Sequence, residues 1–181
     1  MLVIKPHLHT FQMINFLNKH CRLILAFFVF YIIFLLFFGL DLRSLRLWDE
    51  SRLAVNAAEM LINKNFWYTT YHNTPDFWNT KPHFLILLQV LSMKLFGLNE
   101  GSVRFPSALA TLFTAGILYH WVKSEKYSYF FAGLAVSVFL CNRFLIFHGA
   151  RAGDYDALLI MFELLYCYTF TNIFKIHVLN F

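Results

Sequence analysis

Residues 23–40 read LILAFFVFYIIFLLFFGL, with no charged side chain anywhere in the run. Such a stretch approaches the roughly twenty residues that a helix needs to cross a hydrocarbon core. In that core the backbone polar groups can be satisfied only within a helix or a closed barrel. The run therefore sets the solvent in which the rest of the chain folds. Further apolar runs follow at 104–122, 128–147 and 157–174. The composition agrees: 59% of the 181 residues are hydrophobic, 20% aromatic and 14% charged, against about 25% charged in a soluble domain. The net charge of +5 forms no basic stripe, so no nucleic acid is expected as a partner. Cys21, Cys141 and Cys167 lie in or beside apolar runs without metal-ligand spacing and read as small hydrophobes.

Residues 1–22 carry Lys5, Lys19 and Arg22 and no acid, as a cytoplasmic N-terminal tail does. The run behind them is too long for a signal-peptide core and lacks a small-residue cleavage site, so it is read as an uncleaved first span. A long outer loop, 41–103, comes next. Within it LWDESRLAVNAAEML (47–61) predicts a short amphipathic helix with Asp49 as N-cap. Leu53, Ala54, Ala57, Ala58 and Leu61 share its apolar face; Arg52, Asn56, Glu59 and Asn63 share a face expected toward water. FWYTTYHNTPDFW (66–78) has the aromatic character of headgroup depth. PHFLILLQVLSMKLFG (82–97) is interrupted by Gln89 and Lys94 and is too short to cross. If it lies flat at the outer surface, Lys123, Lys126 and Lys175 fall on the cytoplasmic side with the N-terminal bases, as the positive-inside rule prefers. The second span, 104–122, is expected to hold Pro106 in its first turn.

The fold expected is an all-α membrane protein of about four transmembrane helices (23–40, 104–122, 128–147, 157–174), with amphipathic juxtamembrane helices in the long first outer loop. Both termini lie inside, 148–156 is a second outer loop, and 176–181 is a truncated end. One membrane face then collects Asp49 and Glu50 from the first loop and Asp154 and Asp156 from the second. Lys81, Arg104, Arg143 and Arg151 lie near them. A carboxylate can take the proton of an attacking hydroxyl, and cations can take up charge growing on a departing phosphate. The bland alternative is a set of interfacial ion pairs anchoring two loops, worth about 0–1 kcal/mol each when exposed.

The order of these features resembles the integral-membrane glycosyltransferases of the GT-C superfamily, in particular the aminoarabinose transferase and protein O-mannosyltransferase families. WDESRLAVNAAEML (48–61) is similar to their first-loop acidic motif, and NTKPHFLILLQVLSMKLFG (79–97) to their KPP segment, with His83 in place of the second proline. VRFPSALATL (103–112) is similar to their R-x-P-S-A-L motif, and GARAGDYDALLIMF (149–162) to their second acidic motif. The resemblance covers about residues 20–175 and only the N-terminal part of such an enzyme. It implies an inverting transfer of a sugar from a polyprenyl-phosphate donor to a lipid, glycan or protein acceptor. It also implies a bacterial inner membrane with the active face periplasmic.

On that resemblance Asp49 is the catalytic base, and Asp156 the second catalytic carboxylate, orienting Lys81 or helping to hold a metal. Lys81 and Arg104 would contact donor phosphate, though Arg104 could equally pair with a loop acid. Glu50 and Arg151 complete the substrate-binding set, Glu50 being as well suited to a helix-start charge. Asp154 and Asp156 are the pair for a divalent metal, Mg or Mn, if the reaction uses one; no cofactor is otherwise expected. Arg143 either snorkels or acts, and Glu163 either acts or pairs with a further helix. The alternative from another class is a non-catalytic membrane subunit or an inactive fragment, and a transporter reading is weaker because no inverted repeat is visible. The 181 residues alone are expected to be inactive, since the donor's tail needs a groove from further helices. The topology has a direct check. Cysteines placed at 49, 90 and 155 should label from outside the cell and one at 124 should not; labelling at 124 would separate the two acidic loops.

Overall fold

The computed structural model describes residue 23, residues 26–142 and residues 145–179. The chain divides into two units, residues 1–35 and 36–181. The N-terminal tail, Cys21 and Arg143 lie outside the described residues. Helix α1, Ala26–Phe37, is apolar, with Phe27, Phe30 and Tyr31 exposed on its surface.

In the larger unit come α2 (Asp49–Asn63), the strands β1 (Thr70–Tyr71) and β2 (Thr74–Pro75), and α3 (Phe84–Phe96). Then follow α4 (Glu100–Ser124), α5 (Tyr129–Leu140), a π-helical turn (Leu145–Ala150) and α6 (Asp156–Leu179). The all-α expectation holds apart from the small hairpin. Helix α4 is the hub, packing on α3, α5, α6 and the π turn, while α2 packs on α3. Leu53, Ala57 and Met60 of α2 meet Leu85, Ile86 and Met93 of α3 and Val103 of α4 in one core.

The start of α4 has a local cause. The Asn99 side chain accepts from Ser102 N, and Ser102 Oγ accepts from Asn99 N, forming a capping box that starts α4 at Glu100. Pro106 thus lies inside the helix and not in its first turn, as the sequence had suggested; its ring removes one bond to the carbonyl of Ser102. Asp49 is not an N-cap either. Trp48 occupies that position at φ 77° with no side-chain cap, and Asp49 and Glu50 occupy the first turn. The apolar run 128–147 is not one helix: α5 ends at Leu140, and the chain resumes in the π turn, where Arg151 N donates to Ile146 O. The polar Asn142–Arg143 pair falls at this break.

Among the described residues one helix, Asp156–Lys175, is long and apolar enough to cross a membrane by itself. Helix α4 is longer, but its buried positions include Ser102, Arg104, Ser107, Thr111 and Thr114. Small and hydroxylated side chains suit a helix enclosed by others, where Thr111 and Thr114 return their hydroxyls to the carbonyls of Ser107 and Ala110. The two helices run side by side in the same direction. Ser107 Oγ donates to Asp154 O at one end, and Glu125, the C-cap of α4, pairs with Lys175 at the other.

The face of α2 expected toward water is covered at Asn56 and partly at Arg52 and Glu59, while Asn63 stays exposed. Asn56 is fully buried, donating to Thr70 O at 2.6 Å and to Asp76 Oδ2 at 3.0 Å and accepting from Asn79. Arg52 grips Asp76 with two N–H groups, at 3.0 and 2.6 Å, and lies over the Tyr71 ring at 4.5 Å. The hairpin so docked turns through His72 and Asn73, both at positive φ, the geometry that two-residue hairpins require. In the segments flanking it Trp67, Phe77 and Trp78 are exposed.

Two measurements test these contacts. The Arg52 hydrogen bond, opposed by desolvation and helped by Asn56, holds the Asp76 carboxyl at about 2, below its ordinary 3.8. A depressed carboxylate stabilises the fold above its unfolded pKa. Docking of residues 66–78 should therefore weaken as pH falls from about 4 toward 2, by on the order of 2 kcal/mol. Hydrogen exchange in the hairpin should show this loss, and Asp76→Asn should remove the pH dependence. Secondly, a Cβ at Gly153 would lie 2.5 Å from Val103 Cγ1 and 3.1 Å from Val103 O. Gly153→Ala should cost about 1–3 kcal/mol of thermal stability in detergent, as overpacking does.

Candidate functional site

The first turn of α2, the segment before α3 and the turn before α6 converge on Lys81. Its Nζ lies 3.8 Å from Asp49 Oδ1 and 3.6 Å from Asp154 Oδ1, and 5.1 Å from the centre of the Tyr155 ring. Asp49 is the most exposed member, at 69% of its side chain, and Asp154 is largely covered at 22%. Asp156, the first residue of α6, is partly buried and feels the charges of Asp154, Lys81, His148 and Asp49. Asp49 and Asp156 each sit at a helix N-terminus, where the backbone dipole favours negative charge.

Tyr155 locks the cluster. Its hydroxyl donates to Pro82 O at 2.8 Å, and its N–H donates to Asp154 Oδ1 at 2.7 Å. Burial, with Asp154 beside it, pushes the phenol up to about 12, so it stays a neutral donor at working pH. The sequence offers only one sign of it, an aromatic between two acids in GDYD.

Behind the cluster lies a buried pair. Arg104 spends all five of its N–H groups: Nε and one Nη2 hydrogen on Glu50, and the rest on the carbonyls of Leu40, Arg43 and Ser44. Glu50 in turn accepts from Arg104, from Arg46 N at 2.8 Å and from Gly153 N at 2.9 Å. Burial alone would raise its carboxyl, but these bonds outweigh it and keep the group below its usual value. Both side chains are at least 96% covered, with 4% and 2% exposed. The expected donor-phosphate contact through Arg104 is therefore corrected: it has no N–H left, and its partner is the loop acid. Glu50 is likewise corrected from substrate contact to structural anchor.

Arg151 points elsewhere, to the carbonyls of Phe38 and Gly39. Burial lowers its pKa, as do the like charges of Arg43 and Arg104. His83 lines a separate hollow of about 290 Å³ with Asp76 and Asn79. Glu163 is exposed on α6, and Cys141 and Cys167 are exposed thiols. Asp154 and Asp156 fit a divalent metal poorly. Among the described residues no third His, Cys, Asp or Glu completes a set with them, and Asp154 already receives an N–H and a lysine.

Residues 80–177 match the family described as dolichyl-phosphate-mannose-protein mannosyltransferase. A curated relative is the undecaprenyl phosphate-alpha-4-amino-4-deoxy-L-arabinose arabinosyl transferase of Wigglesworthia glossinidia brevipalpis, 40% identical over 91 residues. That alignment covers 49% of this chain and 16% of the relative, so the chain spans a small part of the relative's length. No solved structure matches. The family match takes in Lys81, Arg104, Asp154 and Asp156 and runs over more than half the sequence: the chain belongs to the dolichyl-phosphate-mannose-protein mannosyltransferase family, of GT-C glycosyltransferase type.

Proposed function

We propose that this chain provides the acidic face of an inverting glycosyltransferase that takes its sugar from a polyprenyl-phosphate donor. The observation that carries this reading is Lys81 held between Asp49 and Asp154 at salt-bridge distance on both sides. Asp49 is the exposed member and faces incoming substrate. Its carboxylate takes the proton as the acceptor oxygen forms a bond to the anomeric carbon. The bond from that carbon to the phosphate oxygen breaks on the opposite face, its electrons leave with the phosphate, and Lys81 meets the charge. Attack opposite the leaving group inverts the anomeric centre. Asp154 and Tyr155 keep Lys81 aimed, and Asp156 adds negative charge that holds the ammonium in place. No step here needs a metal.

The acceptor is a lipid, glycan or protein hydroxyl or its equivalent at the membrane surface. We place α1, α4, the α5–π segment and α6 across a bacterial inner membrane, with α3 flat at the periplasmic face. The shared direction of α4 and α6, with acids at one end and Glu125–Lys175 at the other, supports that arrangement.

Transfer of labelled sugar by an intact enzyme carrying this region tests the reading. Asp49→Asn should lower turnover by about 10²–10⁴-fold with donor binding retained. Asp156→Asn should also be severely impaired. Glu59→Gln, on α2 and bonded among the described residues to the hairpin at Asn73, should be near normal. Equal activity in all three would make the carboxylates structural.

A further inference from the structure

A cavity of about 380 Å³ is lined by Arg43, Arg46, Arg104 and Arg151 together with Ser44 and Phe147. Neither Asp49, Lys81 nor Asp154 lines it. The charge around it does not balance. Four arginines line one space, and the buried acid beside it, Glu50, is spent on Arg104 and on the N–H groups of Arg46 and Gly153. Asp41 packs beside Gly101, and no carboxylate lines the cavity among the described residues.

The arginines divide into two kinds. Arg104 is saturated and Arg151 is directed to the carbonyls of Phe38 and Gly39, so these two contribute charge. Among the described residues Arg46 is fixed by one side-chain bond, from Nη2 to Phe147 O at 2.5 Å, which leaves its remaining N–H groups for a ligand. Arg43 is exposed, and among the described residues its guanidinium is held over the Phe147 ring alone, its carbon 5.5 Å from the centroid. One pinned guanidinium and one loosely held one, both with donors to spare, a serine hydroxyl and two further positive charges suit an anion with oxygens in several directions. Arginine forks match phosphate oxygens two at a time.

We propose that this cavity is a binding site for a phosphate group, separate from the Lys81 cluster. Its occupant is either the headgroup phosphate of a membrane lipid or inorganic phosphate. The lipid source has a positional argument: residues 38–46 leave the apolar run 23–40, so the cavity opens where headgroups lie if that run spans the membrane.

The test uses the full chain in micelles of a phosphate-free maltoside detergent, titrated with inorganic phosphate and followed by thermal shift. Saturable stabilisation is expected, weakened about tenfold or more in Arg43→Ala/Arg46→Ala. Arg43→Gln, which keeps the backbone carbonyl that Arg104 uses and removes a guanidinium held, among the described residues, over the Phe147 ring, should weaken it in the same direction without disturbing the fold. Lys81→Ala should leave it unchanged. Repeating the titration in phosphatidylglycerol nanodiscs separates the sources: a lipid occupant suppresses the phosphate response, and a soluble one leaves it intact. Equal phosphate binding by wild type and both arginine variants would overturn the proposal. So would loss of binding in Lys81→Ala alone, which would assign the anion to the transfer site. Activity of an Asp49→Asn enzyme bears on the glycosyltransferase reading and leaves this one untouched.

Discussion

The Glu50–Arg104 pair binds together segments that the sequence keeps far apart. Two charges withdrawn from water cost several kcal/mol each unless their hydrogen-bonding capacity is met. Here it is met in full: five N–H groups of Arg104 and both oxygens of Glu50 have partners. Those partners come from the loop after α1, the start of α2, the start of α4 and the turn before α6. Two of the residues joined in this way have a functional candidate as their immediate neighbour in the chain. Asp49 adjoins Glu50, and Asp154 adjoins Gly153.

This produces a division of labour by depth. The buried pair sets position and cannot meet a ligand, while its exposed neighbours carry weak contacts that a substrate can replace. Lys81 lies at 3.6–3.8 Å from two carboxylates and is 45% exposed, so each pair is worth little by itself. A cation held loosely between two anions can follow charge that moves during a reaction. The core of α4 obeys the same logic. Its serines and threonines turn inward and return their hydroxyls to the backbone, and large apolar side chains such as Phe162, Tyr166 and Phe170 of α6 face outward.

The sequence was informative where a feature depends on runs and order. Apolar runs foretold α4 and α6 to within a few residues, and the two acidic loops do meet. It was misleading where partners are distant. Asn56 has the helical spacing of a water-facing residue, but Thr70, Asp76 and Asn79 cover it. Arg104 reads as a cation beside a phosphate site until its five donors are counted. The break in the run 128–147 has a local sign, the polar Asn142–Arg143 pair, but hydropathy averages it away. Tyr155 and the arginine cavity carry no periodic signal, because they arise from chain crossings and not from any single helix.

Gly153 lies where three elements touch. Gln89 of α3 donates its side-chain amide to both Val103 O and Gly153 O, at 3.1 Å each, and Gly153 has no room for a side chain. That contact governs how sequence from this family can be recombined. A crossover placed anywhere between residues 50 and 153 separates Glu50 from the N–H it receives. One placed between 89 and 153 also parts the glutamine from its second carbonyl. Functional chimeras with related chains must therefore inherit the first loop, α3 and the GDYD turn as one block.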